Sequence, residues 1–120
     1  MKTTKKEILN SVSTEYGLSG YSEMYQKTRK LELREPRQLC MTLMRIMLDL
    51  TWSECGLEFM LTHATAIHSR KVWRDFYVTD KKKRVTLRNV LSRLTESPDV
   101  VISKLLTDDR YTLIAKRSKI

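Results

Sequence analysis

Apolar positions recur at helical spacing along most of this chain, and the breaks between the stripes fall at capping residues, glycines and prolines. Thr4 followed by Glu7 forms a capping box ahead of Ile8, Leu9, Val12 and Tyr16, so the pattern predicts a short amphipathic helix that Gly17 ends. After a turn between Gly17 and Gly20, the brief apolar patch Tyr21, Met24 and Tyr25 predicts one or two helical turns. The run from Lys27 to Arg34 is basic and shows no clear helical period, which predicts a loop. Pro36 then stands near the start of a helix, where its missing N–H costs nothing, and Leu39, Cys40, Leu43, Met44 and Met47 form the buried stripe. Arg37 and Gln38 fall in the first turn of that helix, where a basic residue opposes the helix dipole.

At the next joint Thr51 and Glu54 make a second capping box, so a new helix starts near Trp52. It lasts about two turns, because the register of Cys55 and Phe59 breaks at Met60-Leu61-Thr62, and Thr62 suits the N-cap of a helix beginning at His63. This third helix is expected to bury Ala66, Trp73 and Phe76. Its exposed start offers Thr62, His63, Ala64 and Thr65, and its later exposed face offers Arg70, Lys71 and Arg74. His68 falls toward the rear beside Ile67 and is expected to pack as a hydrogen-bonded residue. From Arg34 to Tyr77, then, three helices meet at two punctuated joints, and the last opens on small polar residues before turning basic. That is the pattern of a helix-turn-helix reader of double-stranded DNA. Trp52 and Ser53 can offer a phosphate two free backbone N–H groups, although Trp52 equally suits ordinary packing.

Beyond Tyr77, Asp80 is the expected N-cap of a closing helix that starts on Lys81-Lys82-Lys83-Arg84 and buries Leu87, Val90, Leu91 and Leu94. Its basic first turn suits either a phosphate contact or a solvated charge run. Ser97 caps a further helix with Pro98 at its first position, and Val100, Val101, Ile102, Leu105 and Leu106 make that helix apolar around much of its circumference. In the tail, Tyr111 to Ala115 suits either a strand or another helical turn. The expected fold is all-α, a compact helical domain of about six or seven helices.

Charge and composition narrow the function. The 120 residues carry 23 basic and 14 acidic side chains, a net charge of +9, which points to a polyanionic partner. No apolar run approaches the length of a membrane span and the N-terminus has no signal-peptide core, so the expected setting is the cytoplasm, on the nucleoid, with no membrane partner. Cys40 and Cys55 sit on predicted core faces without zinc-like spacing to each other or to His63 and His68, so no metal is expected. With only Gly17, Gly20 and Gly56 available, a G-x-x-x-x-G-K-[ST] phosphate loop is impossible, so no nucleotide or other cofactor is expected. No nucleophile, base or carboxylate pair stands at a suitable spacing, and no catalytic residue is assigned.

Arg37-Gln38 opening an apolar helix, then Trp52-Ser53-Glu54-Cys55-Gly56 with Phe59, then His63-Ala64-Thr65-Ala66-Ile67-His68, resembles the C-terminal DNA-binding domain of the bacterial replication initiator DnaA. There the corresponding signatures run roughly A-R-Q, L-P-E-I-G-x-x-F and D-H-[ST]-T-V-L-H-A. The resemblance spans residues 3–94 and leaves 95–120 as a C-terminal extension, an added packing layer or a surface for a protein partner. It implies a basic loop with Arg29 in the minor groove and Lys27 on the phosphates, Arg37 and Gln38 against backbone and base edges, and the helix from His63 in the major groove. Ser53, Arg70 and Lys71 complete the expected positioning contacts. Thr62 replaces the family's Asp, Ala64 its first hydroxyl residue, and Met60-Leu61 its Gly-Arg pair. Two functions follow: a stand-alone DNA-binding module in replication or transcription without ATPase activity, or a protein-interaction module that keeps the fold and has lost DNA reading.

Overall fold

The structure, a computed structural model, describes residues 3–26 and 31–107. Over those residues the fold is all-α: α1 (Lys5–Glu15), a 3-10 helix η1 (Tyr21–Tyr25), α2 (Leu31–Leu48), α3 (Trp52–Leu57), α4 (His63–Thr79), α5 (Lys81–Ser92) and α6 (Pro98–Thr107). Tyr111 to Ala115, where a strand or helical turn was expected, lies outside the described residues, as do Lys27 and Arg29.

Local chemistry starts and stops these helices. Thr4 Oγ1 accepts the Glu7 N–H at 3.2 Å while the Glu7 carboxylate accepts the Thr4 N–H at 2.9 Å, which occupies two donors that α1 leaves open. Gly17 (φ 68°) turns the chain out of α1. α4 and α5 abut at Asp80, whose Oδ1 takes the N–H groups of Lys82 at 2.9 Å and Lys83 at 3.3 Å. That carboxylate partly offsets three lysines placed at the positive end of the α5 dipole.

The start of α2 differs from the expectation. The helix begins at Leu31, so Leu31 to Arg34 is helical rather than loop, and Pro36 lies inside the helix. Arg37 and Gln38 accordingly stand beyond the first turn. Pro36 removes the bond that the Glu32 carbonyl would otherwise accept, a local cost that tertiary contacts offset. The buried stripe continues backward through Pro36 to Leu33, which is 2% exposed. Glu35 anchors the same turn by accepting the Tyr16 hydroxyl at 2.5 Å and pairing with Lys83 at 2.5 Å. Burial and the Glu35 carboxylate together push the Tyr16 phenol well above its ordinary range.

One core joins all the helices. Ile8, Leu9 and Val12 of α1, Met24 of η1, Leu39, Leu43 and Met44 of α2, Trp73 and Tyr77 of α4, Leu87, Val90 and Leu91 of α5, and Val101, Ile102 and Leu105 of α6 are buried in it. Polar ties cross the same layers. The Ser11 hydroxyl donates to the Val90 carbonyl at 2.9 Å, Arg93 pairs with Glu15 at 3.0 Å, and Arg88 reaches Asp99 at 3.2 Å. α4 runs through the middle, packed on α2, α3, α5 and α6, so its position is set from several sides.

Candidate nucleic-acid interface

α3 opens with the expected capping box: Thr51 Oγ1 accepts the Glu54 N–H at 3.1 Å and the Glu54 carboxylate accepts the Thr51 N–H at 2.9 Å. The Thr51 backbone N–H, and after it the Thr51 side chain, hold the Glu54 carboxyl below its usual range. Trp52 is buried against the core, with the Arg45 guanidinium 5.1 Å from its ring, so its side chain packs. Ser53 next to it is exposed at the helix start.

The joint between α3 and α4 is tight. Gly56 accepts the Leu61 N–H at 2.8 Å, and a Cβ at Gly56 would lie 2.5 Å from the Thr62 carbonyl oxygen, so only glycine lets the two helices approach this closely. Met60 takes the left-handed conformation (φ 59°) that reverses the chain, with its side chain 76% exposed. Leu57 is also open to solvent. Thr62 then caps α4, its Oγ1 accepting the Thr65 N–H at 3.3 Å and lying 3.2 Å from the Thr65 hydroxyl. Thr62, His63 and Ala64 are exposed and Thr65 is half-buried, so the start of α4 projects from the molecule.

Along α4 the structure changes four expectations, one of them at Arg74, which is half-buried rather than exposed. Arg70, expected on the exposed face, is 2% exposed and donates to the Lys104 carbonyl of α6 at 3.0 Å. Its register explains this: Arg70 falls four residues after Ala66, three before Trp73 and seven before Tyr77, all on the buried stripe. His68, expected to pack at the rear, is exposed, and at spacings of four and three it shares a solvent face with Ala64 and Lys71. Sequence reasoning missed that face because the apolar neighbour Ile67 suggested burial. Phe76 is half-buried rather than buried, its ring 5.3 Å from Trp73.

The cations divide into two groups. Lys71, Lys81 and Lys82 are exposed and their side chains make no ion pair among the described residues. Others are engaged: Lys83 with Glu35 and the Phe76 ring, Arg84 with the Tyr77 and Val78 carbonyls, and Arg37 with the carbonyls of Met24 and Gln26. Desolvation lowers the Arg37 pKa from its ordinary value. Gln38 is half-buried. Desolvation raises the pKa of both buried thiols, Cys55 to about 12.

A short capped helix, a glycine-tight turn and a longer helix with a projecting N-terminus, braced from behind by α2, define a helix-turn-helix protein. A family model described as the bacterial dnaA protein helix-turn-helix matches residues 5–72, from α1 into α4. The chain belongs to that family. No solved structure matches it. No helix among the described residues is long and apolar enough to cross a membrane.

Proposed function

We propose that this protein binds double-stranded DNA through the projecting start of α4, as a module that occupies sites in replication or transcription without nucleotide hydrolysis of its own. The observation that carries this reading is the exposed, capped N-terminus of α4, continuous with the face of Ala64, His68 and Lys71 and with no acidic residue in its first turn. Thr62, His63, Ala64 and Thr65 meet base edges, where His63 donates a hydrogen bond and Ala64 offers a methyl to thymine. Ser53, Gln38 and Lys71 lie along the phosphates. Lys27 and Arg29 take the phosphate and minor-groove roles that family membership suggests.

Thr62 lacks the acidic acceptor with which an Asp can read a cytosine amino group, and Ala64 lacks a hydroxyl, so the protein reads a site other than the family's usual box or reads with low specificity. Electrophoretic shift on random duplex at low salt, followed by competition with that box, tests both statements. Retarded duplex whose affinity falls with rising salt is the expected result. An absence of any shift at low salt would sink DNA binding, and a preference for the box above about a hundredfold, or roughly 2.7 kcal/mol, would sink the altered readout.

A second reading is favoured by a separate observation: Leu57 and Met60 expose apolar side chains at the turn itself, 68% and 76% open. A protein-interaction module would use that edge and ignore duplex. The shift assay separates the two.

A further inference from the structure

Among the described residues Arg70 is the only charged side chain that is buried, 2% exposed in the middle of α4. A guanidinium withdrawn from water is costly unless polar groups face it. α6 supplies one such group: the Lys104 carbonyl accepts Nη2 of Arg70 at 3.0 Å. Lys104 stands in the last turn of α6, the end where the helix dipole favours a cation. Around that bond the contact is apolar, with Val101, Ile102 and Leu105 of α6 sharing one core with Ala66, Trp73 and Tyr77 of α4. At 3.6 residues per turn, Arg70 lies on the opposite side of α4 from Ala64 and His68, which are exposed. The family match ends at residue 72, so all of α6 lies beyond it.

We infer that Arg70 is a positioning residue for duplex binding: its bond to α6 fixes how α4 is turned about its axis, and so which side chains at the start of α4 face the duplex. This rests on the DNA-binding reading above, and it makes α6 part of the duplex-binding unit. Apolar contact is non-directional, so the core around Ala66 and Trp73 limits a small rotation of α4 less sharply than a polar tie does. A hydrogen bond weakens steeply as it bends, and the guanidinium is planar, so the bond to Lys104 resists that rotation. A turn of about 10–20° is enough to take a side chain out of productive geometry. Buried on the far side from His68, Arg70 displaces no counterion when duplex binds, and its removal leaves the salt dependence intact.

The test is Arg70→Met in the full chain, which keeps a long side chain in place and removes the bond, since exchanging a buried ion for a hydrophobe is often neutral for stability. The variant is titrated over a range of salt into duplex that the wild type selects from a random pool, with near-ultraviolet circular dichroism confirming that the tryptophans stay packed. The expected result is binding at least about fivefold weaker than the wild type at every salt concentration, roughly the loss of one base contact, with an unchanged slope of log K against log salt. A smaller loss of affinity overturns the inference, because the bond then serves stability alone. A slope lowered by about 0.9 overturns it as well, because Arg70 is then a phosphate ligand. Should Arg70→Met not fold, Arg70→Lys decides. It keeps the charge without the planar fork, and the same fivefold loss is expected, with a smaller one again overturning the inference. Failure of both variants to fold would make Arg70 a residue of stability and overturn the inference too. If the wild type binds no duplex, the DNA reading fails first and takes this inference with it, a result visible before any variant is made.

Discussion

A methyl group at residue 56 would stand 2.5 Å from the Thr62 carbonyl oxygen and 2.8 Å from that of Leu61, so Gly56→Ala forces the main chain of the turn apart. Overpacking against backbone of this kind costs about 1–3 kcal/mol, and urea unfolding should show a loss in that range. Unchanged stability would mean that the turn yields without cost. Four residues later the sign reverses. Met60 holds a left-handed conformation that disfavours L side chains by about 1–2 kcal/mol, while glycine adds about 0.4–1 kcal/mol of freedom to the unfolded chain. With its side chain mostly in solvent, Met60→Gly should leave the protein as stable as before or up to about 1 kcal/mol more stable, and a clear drop in the urea midpoint would refute this. The family's Gly-Arg pair, replaced here by Met60-Leu61, hinted at this position before its φ was known. Arg70 shows the opposite: its place in the register of Ala66, Trp73 and Tyr77 was readable, but its charge argued for exposure. The Lys104 carbonyl, presented by α6 from far along the chain, is one acceptor for the guanidinium buried there.

At the scale of elements, the helix starts that rest on local hydrogen bonds were the most legible. The capping boxes at Thr4 and Thr51, the caps at Thr62 and Asp80, and Pro98 at the first position of α6 all stand where side-chain chemistry placed them. α2 was misjudged because Pro36 suggests a first turn, while Glu35 is held by partners distant in sequence, Tyr16 and Lys83, and Leu33 ahead of it is buried. The Thr51 box also has a pH signature. Its bonds depress the folded-state pKa of Glu54, so its contribution is present above the unfolded carboxyl pKa and is lost as pH falls through the folded value. Thr51→Ala, which removes the cap, should lower stability by about 0.5–2 kcal/mol near neutral pH. The Oγ1 bond to the Glu54 N–H does not titrate, so only the part of that difference that comes from the Thr51 hydroxyl acting on the Glu54 carboxylate should vanish in acid, where the carboxylate is protonated. Thermal unfolding of both proteins across the acidic range checks this, and a difference independent of pH would argue against a role for the Glu54 carboxylate.

For the whole molecule, the net charge of +9 says that a polyanion is attractive but not which cations meet it. The fold sorts them. Arg93 is spent on Glu15 and the Ser11 carbonyl, Lys83 on Glu35, and Arg88 on Asp99, ties that hold α1, α2, α5 and α6 together. Lys71 is different, exposed on the α4 face that continues from Ala64 and His68. If duplex lies along that face, Lys71 displaces a counterion on binding and Arg93 does not. Lys71→Gln should therefore reduce the slope of log K against log salt by about 0.9, while Arg93→Gln, which removes the same charge, should leave the slope unchanged. Both variants lose one unit of net charge, so a general effect of charge would move both equally. Equal slopes in the two variants would show that the protein attracts DNA as a diffuse cation and that the α4 face has no special part. A loss confined to Lys71→Gln would locate the phosphate path on the helix that the rest of the fold holds in place.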